Sequence, residues 1–267
     1  MCATCGCGDD GSTITVPGAS PEHHHPHEHS HPHTRTVELE HRVLARNDAI
    51  AEQNRRWLEH RRILALNLTS SPGAGKTTLL ERTIRDLGTR SPVSVIEGDQ
   101  ETLLDAERIR ATGVPAVQIN TGAGCHLDAQ MVAGALTALD PPQRSLLFIE
   151  NVGNLVCPAL FDLGERSKVV IISVTEGADK PLKYPHMFAA ADLVLINKSD
   201  LLPYVDFDVD RCTGHARSVH PGVDVLTVSA KTGEGTADWY RWIDARRQHP
   251  AAAPSSGPTV DNGYPRE

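Results

Sequence analysis

The chain has 267 residues, a formal charge of −8, six cysteines and only 4% aromatic side chains. That length suits one sizeable core, which the scarcity of aromatics places on Leu, Ile, Val and Ala. The charge argues against broad nucleic-acid binding and gives no support for an anionic membrane partner, and no apolar run approaches the ~18 residues of a membrane span.

From the amino end, Met1 to Cys7 has neither the basic start nor the apolar stretch of a signal peptide, so a cytoplasmic protein is expected. In that reducing compartment cysteines serve as thiols or metal ligands rather than disulfides. Cys2, Cys5 and Cys7 put three soft ligands within six residues, enough to wrap one thiophilic ion, whether nickel, zinc or copper. A tract follows with His23, His24, His25, His27, His29, His31 and His33, interleaved with Pro, Glu and Ser. Its imidazoles suit loose, multiple binding of Ni²⁺, Zn²⁺ or Cu²⁺, as in storage or buffering. Residues 1–36 hold almost no large apolar side chains, too few to offset ordering entropy. The organisation expected is a disordered metal-binding arm over 1–36, a folded domain over 37–249 and a disordered tail over 250–267.

From Val37 to Arg62 sparse apolar positions, among them Leu44, Ile50 and Trp57-Leu58, predict one amphipathic helix that packs along a narrow stripe. Apolar runs then alternate with helical stretches. Strands are expected at 63–68, 93–96, 116–119, 146–149, 169–172, 193–196 and 225–228, with helices near 102–111, 127–139 and 239–247. Continuous apolar strands between helices predict an α/β fold, a mostly parallel sheet covered by helices on both faces. Ligands of such folds sit at the carboxyl ends of strands.

The first strand runs into Ser70-Ser71-Pro72-Gly73-Ala74-Gly75-Lys76-Thr77-Thr78, the strand, glycine loop and helix of a P-loop NTPase. Gly73 and Gly75 let successive N–H groups of the loop through Ala74 to Thr78 curl round a phosphate, at the positive end of the new helix. Lys76 would neutralise the β- and γ-phosphates, and the Thr77 hydroxyl would hold Mg²⁺. Ser70 stands where the general pattern has glycine. Glu150 ends the strand 146–149, where most GTP-binding proteins have Asp, and can hold Mg²⁺ through water. Gly153 can give its N–H to a γ-phosphate as that segment closes. Asp99, ending the second strand, is a candidate to position the attacking water or an Mg²⁺ water, with Asp105 a weaker one.

Asn197-Lys198-Ser199-Asp200 ends another strand. The Asp200 carboxylate would accept both N–H donors of guanine that adenine lacks, a discrimination of roughly 10⁴-fold or more. Asn197 and Lys198 would brace the loop and cover the base, and Ser229-Ala230-Lys231 would meet the guanine carbonyl. The nucleotide expected is GTP, which makes 37–249 a P-loop GTPase domain. Cys125-His126 ends a Thr-Gly-Ala-Gly loop, and Cys157 follows the Glu150 to Gly153 segment. Both fall at the nucleotide-facing edge, forming a metal set that a second subunit or water would complete.

This combination resembles the hydrogenase nickel-incorporation GTPases over roughly residues 37–245. It does so in the P-loop, Glu97-Gly98-Asp99-Gln100, Asn120 to Leu127, Glu150 to Pro158 and Asn197 to Asp200. Ser70 and Glu150 agree with that family's own pattern. The resemblance implies a nucleotide-dependent homodimer in which Cys125, His126 and Cys157 of two chains meet, so that GTP state changes metal affinity. It implies a separate nickel site at Cys2, Cys5 and Cys7, a nickel reserve in the histidine tract, a nickel-carrying zinc protein as partner, and the hydrogenase large-subunit precursor as recipient. Two other readings are a related urease-type nickel GTPase, and a nickel storage or detoxification protein.

Overall fold

Each apolar run becomes a strand, and all six pairings between neighbouring strands are parallel. The structure, a computed structural model, describes residues 33–99, 104–122 and 124–248. In chain order these form α1 (His33–His60), β1 (Leu64–Ser70), α2 (Lys76–Leu87), β2 (Val93–Asp99), α3 (Leu104–Arg110), β3 (Ala116–Asn120), α4 (Ala129–Leu139) and β4 (Leu146–Glu150). The second half holds β5 (Ser167–Ser173), short helices α5 (Lys180–Lys183) and α6 (Pro185–Ala189), β6 (Leu193–Asn197), α7 (Val209–Val219), β7 (Asp224–Thr227) and α8 (Thr236–Gln248). Strand order is β3-β2-β4-β1-β5-β6-β7, with β1 at the centre.

β1, β4, β5 and β6 are buried along their whole lengths, which is why they read as unbroken apolar runs rather than alternating ones. One face of the sheet packs on α2, α3 and α8 through Leu79, Leu80, Ile84, Ile109, Trp239 and Ile243. The other face has two clusters. Leu58 of α1 and Val132, Ala135 and Leu136 of α4 cover Ala65, Ile96, Leu147 and Ile149, while Met187, Phe188, Cys212 and Ala216 cover Val170, Ile172, Val194 and Ile196. Helices therefore sit on both faces, as the sequence predicts.

Besides the short helices α5 and α6, which the apolar pattern does not predict, two elements differ from expectation. α1 starts at His33, four residues ahead of the predicted Val37, so helix reaches into the stretch assigned to the arm. Its inward stripe is also more polar than an apolar count suggests, because Asn47 and Asn54 are buried with Ala51 and Leu58. The Asn47 amide donates to Asp162 O at 2.8 Å and its oxygen accepts from Ala129 N at 2.9 Å. Asn54 Nδ2 donates to Ala129 O at 2.8 Å and Leu163 O at 3.0 Å. α1 thus clamps the start of α4 and the segment before β5 through hydrogen bonds that satisfy buried backbone groups. Second, α7 is a helix that the expected elements do not include, although Val209, Cys212, Ala216 and Val219 recur at helical spacing and pack inward. Cys212 is buried in it among apolar neighbours, and His215 Nδ1 pairs with Ala178 O at 3.1 Å, in keeping with structural roles for both.

Candidate nucleotide and metal sites

All functional loops leave the carboxyl ends of strands and meet along one edge of the sheet. The turn after β1 places Gly73 at φ +74° and Gly75 at φ +93°, conformations that favour glycine. α2 begins directly at Lys76, so its N-terminal N–H groups open into the loop. Lys76 Nζ donates to Ser70 Oγ at 2.9 Å, so the serine that replaces the usual glycine holds the lysine across the loop. Burial lowers the Lys76 pKa, against the pull of Glu150, Asp105, Asp99 and Glu97.

Thr77 Oγ1 donates to Glu150 Oε1 at 2.7 Å, joining the P-loop helix to the end of β4. Glu150 is buried, its pKa is raised chiefly by that burial, and its Oε2 has no hydrogen-bond partner among the described residues. An orphaned carboxylate oxygen beside a threonine hydroxyl fits a hydrated Mg²⁺. Asp99 ends β2, and its main-chain oxygen accepts from Thr121 N at 2.9 Å. Asp105 instead pairs with Arg108 at 3.1 Å on α3. Gly153 lies against the P-loop, where an added Cβ would sit 3.2 Å from Pro72 Cα.

Sequence reasoning missed two charged groups here. Glu97 is the register partner of Glu150 on the neighbouring strand. Burial raises its carboxyl to about 8, and the adjacent Glu150 adds to the shift. Arg108 reaches Thr78 Oγ1 at 3.1 Å and Glu81 at 2.8 Å, beside the P-loop helix. The signal for Glu97 was a charged residue inside an apolar strand. For Arg108, one arginine among several on a short helix, there was none.

The loop that ends β6, the candidate for base recognition, reaches across to the P-loop. Lys198 takes φ +64°, and its Nζ donates to Gly73 O at 2.8 Å. Asn197 Nδ2 donates to Ala74 O at 2.9 Å while its oxygen accepts from Ala230 N at 3.1 Å, so one side chain fastens three loops together. Ser229 Oγ donates to Asp200 Oδ1 at 2.6 Å. Arg82 of α2 holds Ala230 O at 2.7 Å and Lys231 O at 2.8 Å.

The cysteine–histidine set also converges. Cys125, His126 and Cys157 present ligand atoms all within 4.8 Å of one another, with the two sulfurs 2.8 Å apart. The His126 ring lies over Phe161 at 4.0 Å, and burial lowers its pKa, which favours the neutral imidazole that binds metals. Cys157 opens a 3₁₀ turn seven residues beyond Glu150, so the candidate phosphate and metal residues share one short segment. Cys2, Cys5, Cys7 and the histidines from His23 to His31 lie outside the described residues, as does the tail from 249, and His33 enters only as the backbone start of α1.

Residues 64–227 match the family model described as the CobW/HypB/UreG nucleotide-binding domain. A relative, the hydrogenase maturation factor HypB of Azotobacter vinelandii, is 62% identical over 213 residues, covering 80% of this chain and 70% of that protein. The chain belongs to the HypB family. The crystal structure of HypB from Archaeoglobus fulgidus is 40% identical, with a TM-score of 0.71 over 76% of this chain and 99% of that one. HypB from Helicobacter pylori, solved in complex with nickel, is 38% identical with the same TM-score, over 76% of this chain and 95% of that one. The HypB likeness and the P-loop geometry together make this a nucleotide-binding GTPase domain. Among the described residues no helix is long and apolar enough to cross a membrane.

Proposed function

We propose that this protein hydrolyses GTP slowly, with Mg²⁺, and uses the cycle to hold nickel and release it into a nickel–iron hydrogenase during assembly. The observation that carries the reading is the convergence of Cys125, His126 and Cys157 at the end of the segment that begins at Glu150. A phosphate sensor and a thiolate–imidazole site on one short segment give GTP a direct means of changing metal affinity. By linkage, the metal then changes GTP affinity by the same factor.

In this scheme the N–H groups from Gly73 to Thr78 and the Lys76 ammonium hold the phosphates, and Asp200 reads guanine. Mg²⁺, when bound, neutralises charge on the β- and γ-phosphates; Thr77 and Glu150 would hold it. Asp99 positions the attacking water. Gly153 follows the γ-phosphate, and its movement reaches Cys157. Two cysteines and one histidine leave a four-coordinate ion short of a donor, which a second copy in a nucleotide-dependent dimer would supply. Nickel is the cargo, and Zn²⁺ fits the same donors. Cys2, Cys5 and Cys7 form a separate nickel site and the histidine tract a reserve. A nickel-carrying zinc protein and the hydrogenase precursor are the partners, in the cytoplasm.

The test is nickel binding to protein lacking residues 1–32, with and without GTP–Mg²⁺, following oligomeric state in the same samples. Nickel affinity and dimerisation that both change with nucleotide, and metal lost on Cys125→Ala or Cys157→Ala, are the expected results. A body that binds no nickel in either state would leave metal handling to the arm, as a storage protein requires.

A further inference from the structure

A chain of buried polar side chains crosses the interior beneath the metal site and is absorbed by neither the nucleotide nor the ligand assignments. Asn67 of β1, Asn151, Glu165 and Lys168 are all buried. Asn151 Oδ1 accepts from Leu127 N at 3.1 Å, the residue next to His126, and Asn151 Nδ2 donates to Asn67 Oδ1 at 3.4 Å. Asn67 Nδ2 donates to Glu165 Oε1 at 3.0 Å, and Glu165 Oε2 accepts from Leu163 N at 2.7 Å. Lys168 Nζ lies 3.8 Å from Glu165 Oε1 and donates to Pro158 O at 2.9 Å and Phe161 O at 3.3 Å. Pro158 follows Cys157, and Phe161 carries the ring against His126. The chain therefore ends, on both sides, one residue from a metal ligand, and its middle member lies three residues before the P-loop.

Stability alone does not account for this arrangement, because a buried ion pair is seldom more stable than well-packed apolar side chains of similar volume. What it does fix is distance. Each member is satisfied by the next, and a buried group that loses its partner pays its full desolvation. The two halves of the site thus have few allowed separations. We propose that Asn151 and Lys168, linked through Asn67 and Glu165, are positioning residues that set the spacing of Cys125–His126 relative to Cys157. The proposal rests on the reading of that trio as a nickel site.

The experiment uses full-length protein carrying Cys2→Ser, Cys5→Ser and Cys7→Ser, in which the nickel–thiolate absorption band reports on Cys125 and Cys157 and the histidine tract contributes no thiolate. Nickel affinity is taken from that band, alongside GDP affinity and thermal unfolding. Asn151→Ala and Lys168→Met are expected to weaken nickel about 10- to 100-fold, the usual cost of losing an outer-shell partner. GDP affinity, measured without metal, should stay within about twofold of the parent, because the hydrogen bonds of these side chains include, among the described residues, none to a P-loop or base-loop residue. Asn67→Ala should weaken nickel too, and Asn67→Ala combined with Asn151→Ala should be no worse than Asn151→Ala alone, since members of one chain do not add. Parental nickel affinity in folded, GDP-binding Asn151→Ala, or strict additivity of the pair, overturns the proposal. Lys168→Met strands the Glu165 carboxylate, so if it fails to fold the asparagine cycle decides. A band that is absent from the parent, or that survives Cys157→Ala, would instead sink the metal-site reading itself.

Discussion

Glu97 and Glu150 are register partners on adjacent parallel strands, so two buried carboxyls share one patch of sheet within electrostatic reach of Lys76. Two like charges in low dielectric do not ionise together readily, and the Glu97 carboxyl is held up to about 8 by burial and by Glu150. Between pH 4.5 and 8 the folded chain therefore keeps a proton that the unfolded chain gives up. Stability from this group is full below the unfolded value and is lost as pH rises toward 8. Without nucleotide or Mg²⁺, wild type should lose about 1.4 kcal/mol per pH unit relative to Glu97→Gln across the middle of that window. Urea unfolding midpoints of the two proteins at several pH values provide the check; parallel curves would contradict the assignment.

Lys76→Ala should weaken GTP binding by about 100-fold or more, the order expected for losing charge-assisted bonds to phosphate beside several carboxylates. Nickel bound at Cys2, Cys5 and Cys7 should be unaffected. Equilibrium binding of a fluorescent GTP analogue, with metal content measured in parallel, tests both halves. Retained GTP turnover would refute the phosphate-site assignment.

Asp200→Asn should exchange a two-acceptor carboxylate for a group that mismatches one guanine donor. GTP affinity is expected to fall on the order of 10²- to 10⁴-fold, while a xanthine nucleotide, whose base offers an acceptor in place of the amino group, should gain. Competition between the two triphosphates measures the switch. Equal losses for both bases would show that Asp200 serves the loop rather than the base.

Gly75→Ala tests whether the P-loop and the base loop are one unit. Its Cβ would lie 2.6 Å from Asn197 Nδ2, on a residue already at φ +93°. The Asn197 amide would have to abandon Ala74 O, at a cost of about 1–3 kcal/mol for the backbone conformation alone. Guanine selectivity, read as the ratio of GTP to ATP affinity, should drop along with phosphate binding. Loss of phosphate affinity with the ratio intact would mean that the loops move independently.

The sequence was most readable where chemistry and chain order coincide. Lys76, Thr77, Asn197 and Asp200 sit in short contiguous motifs whose spacing demands a particular loop, and the inner strands β1, β4, β5 and β6 read as apolar runs because the parallel sheet is covered on both faces. Glu97 was harder to read, since its meaning depends on β2 pairing with β4, which no local pattern states. Asn47 and Asn54 looked like ordinary polar positions of a helix, yet they face inward because their amides meet main-chain groups at Ala129, Asp162 and Leu163. The chain from Asn151 to Lys168 was hidden for a related reason: its members come from three separate elements, and only the register of β1 between β4 and β5 joins them.

That central place of β1 divides the working edge in two. Cys125, His126, Glu150 and Cys157 end or follow β3 and β4 in the chain, whereas Asn197, Asp200 and Ser229 end or follow β6 and β7, strands on the other side of β1. In the proposed cycle the base and the freight are therefore inspected at the ends of different strands, while the phosphates, through Glu150 and the P-loop, border both. Substitutions that retune the proposed metal set for a different ion can then accumulate after β3 and β4 without altering which base is accepted after β6.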